Sequence, residues 1–90
     1  MPSRVQLQRR HGWRKPAGAV VVSRPTRFGN PYPVIDGDRA QAVARYRQWL
    51  GDGHGPSRDD LESLRGKDLC CWCPLDQPCH ADVLLEWANR

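Results

Sequence analysis

No run of about 18 apolar residues, the length that crosses a bilayer, occurs in this chain of 90 residues. The first segment, Met1-Pro-Ser-Arg-Val5, lacks the apolar core of a secretory leader. These two absences predict a cytoplasmic protein that does not enter a membrane and whose cysteines stay reduced. There is no internal repeat, so a solenoid is excluded. Also missing are a Walker-type phosphate loop, a G-x-G-x-x-G turn, a pair of catalytic carboxylates and a Ser-His-Asp arrangement. That argues against a conventional NTPase, dehydrogenase or hydrolase. A chain this short buries only about 60–65% of its unfolded surface, so residues 1–90 form one domain with a compact core.

Acidic residues are absent from positions 1–30, where seven basic ones stand: Arg4, Arg9, Arg10, Arg14, Lys15, Arg24 and Arg27. Positions 31–90 carry seven basic and ten acidic side chains, so the net charge of +4 comes from the first third. Such asymmetry points to a nucleic-acid or phosphate partner; a solvated basic face is the plainer reading. Within residues 1–17, Val5-Gln-Leu-Gln8 alternates like an edge strand, and the loop after it mixes Arg9, Arg10, Trp13, Arg14 and Lys15. A tryptophan among cations suits base stacking, which makes these five the candidate nucleic-acid contacts.

All four cysteines lie between Lys67 and Ala88. Asp68–Cys73 is a short apolar run that predicts a strand. Pro74–Pro78 is a loop by composition. From about Cys79, the apolar residues Ala81, Leu84, Leu85 and Ala88 follow the spacing of a helix. Cys79 and His80 then fall in the first helical turn, where free N–H groups and the positive dipole end collect.

Upstream, Ala19–Ser23 is β-branched, uncharged and suited to burial on both faces. It leads into Arg24-Pro-Thr-Arg-Phe-Gly-Asn-Pro-Tyr-Pro33, whose three prolines and one glycine exclude regular structure. Asp38, with Gln41 after it, caps a helix carrying Ala42, Val43, Tyr46, Trp49 and Leu50. Ser57 and Asp60 open a shorter helix with Leu61 and Leu64, stopped by Gly66. The order β, β, α, α, β, α predicts a small α/β domain: a mixed sheet with a parallel, Rossmann-like βα core and helices packed on it.

Ligands of open parallel sheets gather beyond the carboxyl ends of the strands. If Ala19–Ser23 and Asp68–Cys73 are parallel neighbours, their two following loops open on one crevice. Arg24, Thr26, Arg27, Gly29 and Asn30 would come from the first loop, Cys73 and Asp76 from the second. Arginine forks suit phosphate oxygens, so the expected ligand is a nucleotide or another phosphorylated molecule. The plainer reading of Gly29 and Asn30-Pro31 is a shaped turn.

The cysteines admit two readings. In one, Cys79 is a thiol made acidic by the helix terminus, with His80 as its base, and this pair is the catalytic candidate. In the other, Cys71, Cys73, Cys79 and His80 are zinc ligands of a nucleic-acid- or protein-binding module without catalysis, with His11 or His54 as further donors. The spacing C-x-C-x5-C-H departs from the usual C-x2-C knuckle. On a helix, Cys79 and His80 would project about 100° apart, awkward for one tetrahedral site. Cys70 reads as a small buried hydrophobe, and Trp72 and Trp87 as core.

The segments G-A-V-V-V-S-R-P-T-R-F-G-N-P at 18–31 and L-R-G-K-D-L-C-C-W-C-P-L-D-Q-P-C-H-A-D-V-L at 64–84 together resemble a family of small uncharacterised proteins. These occur in bacteriophages, especially those of actinobacteria, and in bacterial genomes. Their hallmarks are an R-P-[ST]-x-[WF]-G-N-P-[FY] loop and a C-W-C-x5-C-H-[AG]-D-[VI] segment, and both are present here in full. The resemblance implies a phage-related domain, sited in the host cytoplasm if phage-encoded; it supplies no reaction, because the family is a domain of unknown function.

Overall fold

The computed structural model describes residues 2–90. In chain order its elements are β1 (Arg4–Gln6), β2 (Val20–Val21), α1 (Arg39–Gly51), α2 (Arg58–Ser63), β3 (Leu69–Cys71) and α3 (His80–Ala88). The α/β class and the element order expected from hydrophobic pattern both stand. The sheet has the order β1-β3-β2. Val5 pairs with Cys70 and Val21 pairs with Cys70 from the other side, both in parallel. The expected mixed sheet is therefore parallel throughout its three strands. Each neighbouring pair is separated by a long crossover segment, which is what parallel pairing requires.

The central strand is β3, and all three of its residues are buried. Ala19–Ser23, expected to be covered on both faces, is instead an edge segment that pairs only with β3 and keeps Val20 and Val21 half-buried. Its inward residues are Ala19, Val22 and Ser23. Ladder bonds run from Val20 N–H to Asp68 O and from Val22 N–H to Cys70 O, each 2.9 Å.

Capping fixes where the helices begin. The Asp38 carboxylate accepts from Gln41 N–H at 3.0 Å. Ser57 and Asp60 exchange reciprocal bonds of 3.1 Å across the first turn of α2. The core lies where α3 packs on α1, α2, β1 and β3, and it is filled by Val22, Tyr46, Leu50, Leu64, Leu69, Val83 and Leu84. Trp87, expected in that core, packs half-buried at its edge. Among the described residues, no helix is long and apolar enough to cross a membrane.

A candidate metal centre on the floor of a basic cleft

Because β2 and β3 are parallel neighbours, their carboxyl ends lie side by side. A cleft of about 240 Å³ opens there. Ser23 and Arg24 enter it from the segment after β2, Cys71 from the end of β3, Trp72 and Cys73 from the bend after it, Cys79 and His80 from the start of α3, and Arg39 from the start of α1.

Three of the four cysteines converge on its floor. The sulfurs of Cys71, Cys73 and Cys79 all lie within 4.8 Å of one another. Cys71 and Cys73 sulfurs are 3.8 Å apart. Along a regular strand, residues two apart are separated by about 6.6 Å. Here β3 ends at Cys71 rather than at Cys73, and the bend after it draws the two thiols together. Cys79 reaches them for a related reason. It is the N-cap of α3, with extended φ −146° and ψ 148°, so the helical 100° offset from His80 does not apply to it. The expected helix start thus moves from Cys79 to His80. Cys70, the neighbour of Cys71, faces the opposite way and is fully buried, as expected.

Hydrogen bonding within the cluster makes the three thiols unequal. Bonds to Cys79 from Cys71, and then from His80, the Ala81 N–H and Cys73, hold the Cys79 thiol down at about 3 against the opposing effect of burial. Cys71 is pushed up, first by its bond to Cys79 and then by burial. Cys73 is pushed up by burial and by the same partner. One negative charge is thus concentrated on Cys79 and shared with its neighbours. Beside it, His80 Nδ1 lies 3.7 Å from Cys79 Sγ, while Nε2 is 2.8 Å from the carbonyl of Val22. Arg39 reaches Cys73 Sγ from the cleft wall at 3.7 Å.

Arg4, one of the seven basic residues of positions 1–30, holds the loop before Cys79. Its side chain is only 8% exposed. One Nη donates to the carbonyls of Pro74, Leu75 and Gln77 at 3.2, 2.8 and 2.8 Å. Its Nε lies 3.6 Å from Asp82, whose other carboxylate oxygen accepts from Cys79 N–H at 3.2 Å.

The remaining candidates divide. Arg24 and Asn30 line the cleft, but both ends of the Asn30 amide are engaged within the protein. Nδ2 donates to Ala42 O and Oδ1 accepts from Tyr32 N–H, at 3.1 and 2.9 Å. Thr26 Oγ1 donates to Ser23 O at 2.7 Å, which shapes the turn. Gly29 sits against Arg24 so closely that a Cβ there would stand 2.7 Å from Arg24 Cγ. Arg27 is exposed and pairs with Asp60 at 2.8 Å, on α2. Asp76 is exposed and is not among the cleft residues. Arg10 and Arg14 are exposed, Trp13 is half-buried, and Lys15 bonds the Ala19 carbonyl. Arg9 covers the ring of Trp72, 4.9 Å from its centroid. His11 and His54 lie outside the sulfur cluster.

The sequence pattern does not single out Arg39, Ser23 or Arg4 as site residues, and Trp72, expected in the core, is 45% exposed on the cleft rim. Arg39 had a signal: as the first residue of α1, it follows the turn-rich loop back to the strand ends. Arg4 had none.

The chain belongs to a family described as a domain of unknown function, DUF4326, which matches residues 5–90. Neither the curated proteins nor the solved structures yield a match.

Proposed function

We propose that this domain holds one zinc ion through Cys71, Cys73 and Cys79 and binds a phosphate-bearing ligand in the cleft above it. The observation that carries this reading is the convergence of three reduced thiols from two separate segments on the floor of one cleft. Two thiolates bound to one zinc at about 2.3 Å with tetrahedral angles stand about 3.8 Å apart, and the Cys71–Cys73 separation is 3.8 Å. Soft thiolates suit zinc, and the cluster already favours negative charge on Cys79. A chain of only 90 residues, with a correspondingly small core, also gains from such a staple. Three protein ligands leave a fourth position for a group in the cleft, which a purely structural site does not. There the metal would act as a Lewis acid toward a bound oxygen. His80 backs the site, with one ring nitrogen anchored on the Val22 carbonyl and the other turned toward Cys79 Sγ.

Support for the anionic ligand comes from the walls. Arg24 and Arg39 both line the cleft with Ser23 beside them. Arg24 has none of the ion pairs that occupy Arg4, Arg27 and Arg47 among the described residues. The planar forks of two arginines match the oxygens of a phosphate.

A second reading is favoured by the low pKa of Cys79 and the position of His80 Nδ1. In it Cys79 is a free nucleophilic thiolate and His80 its proton partner. The two readings exclude each other, since a zinc ion would occupy the same sulfur. Elemental analysis of protein purified without chelator separates them. About one zinc per chain, lost in Cys73→Ser and Cys79→Ser, supports the metal site. Metal-free protein that is equally stable with and without added zinc overturns it in favour of the thiolate.

A further inference from the structure

We infer that the ligand is a nucleotide within single-stranded nucleic acid, whose base stacks on Trp72 at the cleft mouth while its phosphate meets Arg24 and Arg39. The inference rests on the cleft as a phosphate site. Trp72 follows the most buried strand of the protein, yet it is 45% exposed, and it lines the cleft together with the similarly exposed Val34. An indole left half in water at the edge of a largely apolar cleft that two arginines enter offers a flat surface to a planar group. Arg9 lies over the ring at 4.9 Å, and a guanidinium on an indole strengthens a stacking platform.

Size and charge together favour a strand over a free nucleotide. The cleft, at about 240 Å³, is smaller than the roughly 300 Å³ or more that encloses a drug-sized molecule. It takes one unit of a ligand and leaves the rest outside. The side chain against Trp72 is basic. Arg9 connects the rim to the N-terminal segment, where Arg10 and Arg14 are exposed and positions 1–30 carry no acidic residue. Cations that track a backbone, with an aromatic ring on which a base can rest, are the elements of sequence-tolerant single-strand binding. A duplex keeps its bases stacked inside and cannot present one to such a ring without extrusion.

The test uses zinc-loaded protein and fluorescein-labelled oligothymidylate and oligouridylate of about ten nucleotides, long enough to run from the cleft past Trp72. Inorganic phosphate, thymidine monophosphate and a duplex of the same length are the comparators. Both oligomers, or the one whose sugar is preferred, bind more tightly than the mononucleotide, and the affinity falls as salt rises. Trp72→Ala weakens the oligomer about tenfold or more without changing zinc content or the affinity for inorganic phosphate, and Trp72→Phe restores most of the loss. Arg9→Ala has a smaller effect that shrinks with salt. Equal oligomer binding by Trp72→Ala and the unaltered protein overturns the inference, as does a duplex bound as tightly as the single strand. If inorganic phosphate binds and no oligomer does, the phosphate site stands and the nucleic-acid partner is wrong. If zinc is present and neither binds, both ligand assignments fail and the metal centre alone remains.

Discussion

His80 Nε2 donates a hydrogen bond of 2.8 Å to the carbonyl of Val22, and both residues are buried. That bond ties the first residue of α3 to the end of β2, across the two segments that the cleft divides. Because a carbonyl can only accept, Nε2 carries a proton, and Nδ1 is turned toward Cys79 Sγ at 3.7 Å. The ring is thereby aimed before any metal or ligand arrives. His80→Phe keeps the volume but strands the Val22 carbonyl, at a cost of about 1–3 kcal/mol in denaturant unfolding. The variant retains one zinc per chain, bound about 10–100-fold more weakly. Complete loss of zinc from this variant would show His80 to be a ligand and not a support.

The alternation of strand and helix patterns was enough to place β2 and β3 as parallel neighbours, and with them the two loops that meet at the cleft. Period and composition report on local structure, and the crevice follows from topology. What they could not report was the path of the chain after a strand ends. Cys71 and Cys73 share a face in either case, but only the bend after Cys71 brings their sulfurs to 3.8 Å. The same bend carries Trp72 out of the core to the rim. Helical projection would set Cys79 and His80 about 100° apart, and the extended N-cap conformation of Cys79 removes that objection to a shared site. Arg27, equivalent to Arg24 by composition, is drawn to Asp60 by an element 33 residues away in sequence. Long-range pairing of this sort leaves no local trace, and neither does the burial of Arg4.

Gly29 and Arg24 approach so closely that the glycine positions the arginine. A Cβ at residue 29 would lie 2.7 Å from Arg24 Cγ and 2.9 Å from its Cα, and backbone cannot yield as a flexible side-chain end can. Gly29→Ala should displace the start of the loop and destabilise by about 1–3 kcal/mol. Phosphate affinity should fall to the level of Arg24→Ala with zinc content unchanged. Titration calorimetry with inorganic phosphate checks this, and an unaltered affinity would remove Arg24 from the binding site.

Arg4 acts on the metal centre from outside it. Its guanidinium gathers three carbonyls of the loop that ends at Cys79 and approaches Asp82. Arg4→Met should cost about 1.5–3 kcal/mol, the range for hydrogen bonds to a charged group, and should speed extraction of zinc by a chelator. Arg4→Lys does not restore the loss, since a single ammonium cannot hold the three carbonyls and also face Asp82 through a second nitrogen, as Nη and Nε do. Equal chelation rates for all three proteins would confine Arg4 to general stability.

Acid should loosen α2 at its cap. The Asp60 carboxyl is held below its ordinary value of 3.8, chiefly by the Ser57 N–H and then by Arg27. A group depressed in the folded state contributes stability in full above its unfolded pKa, and loses it as pH falls through the folded one. Asp60→Asn should therefore lower the melting temperature near neutral pH, with the gap to the unaltered protein closing in strong acid. A gap that widens as pH falls would contradict this account of the cap.

Thiol labelling separates a metal centre from packed cysteines without any ligand in hand. In metal-free protein, Cys73 should react with iodoacetamide first, because it is the one cysteine of the cluster that is not buried. Cys79 follows: its low pKa supplies thiolate, but it is only 1% exposed, so each reaction waits for local opening. Cys70 is fully buried and pushed up by desolvation, so it should stay unlabelled until the chain unfolds. Added zinc should slow Cys71, Cys73 and Cys79 together, leave Cys70 as it was, and be reversed by a chelator. The comparison with Cys70 is what gives the experiment its force. Zinc that merely stabilised the fold from elsewhere would slow all four in proportion to their dependence on unfolding. Peptide mapping that finds Cys73 and Cys79 equally reactive with and without zinc would show that the three sulfurs do not share an ion.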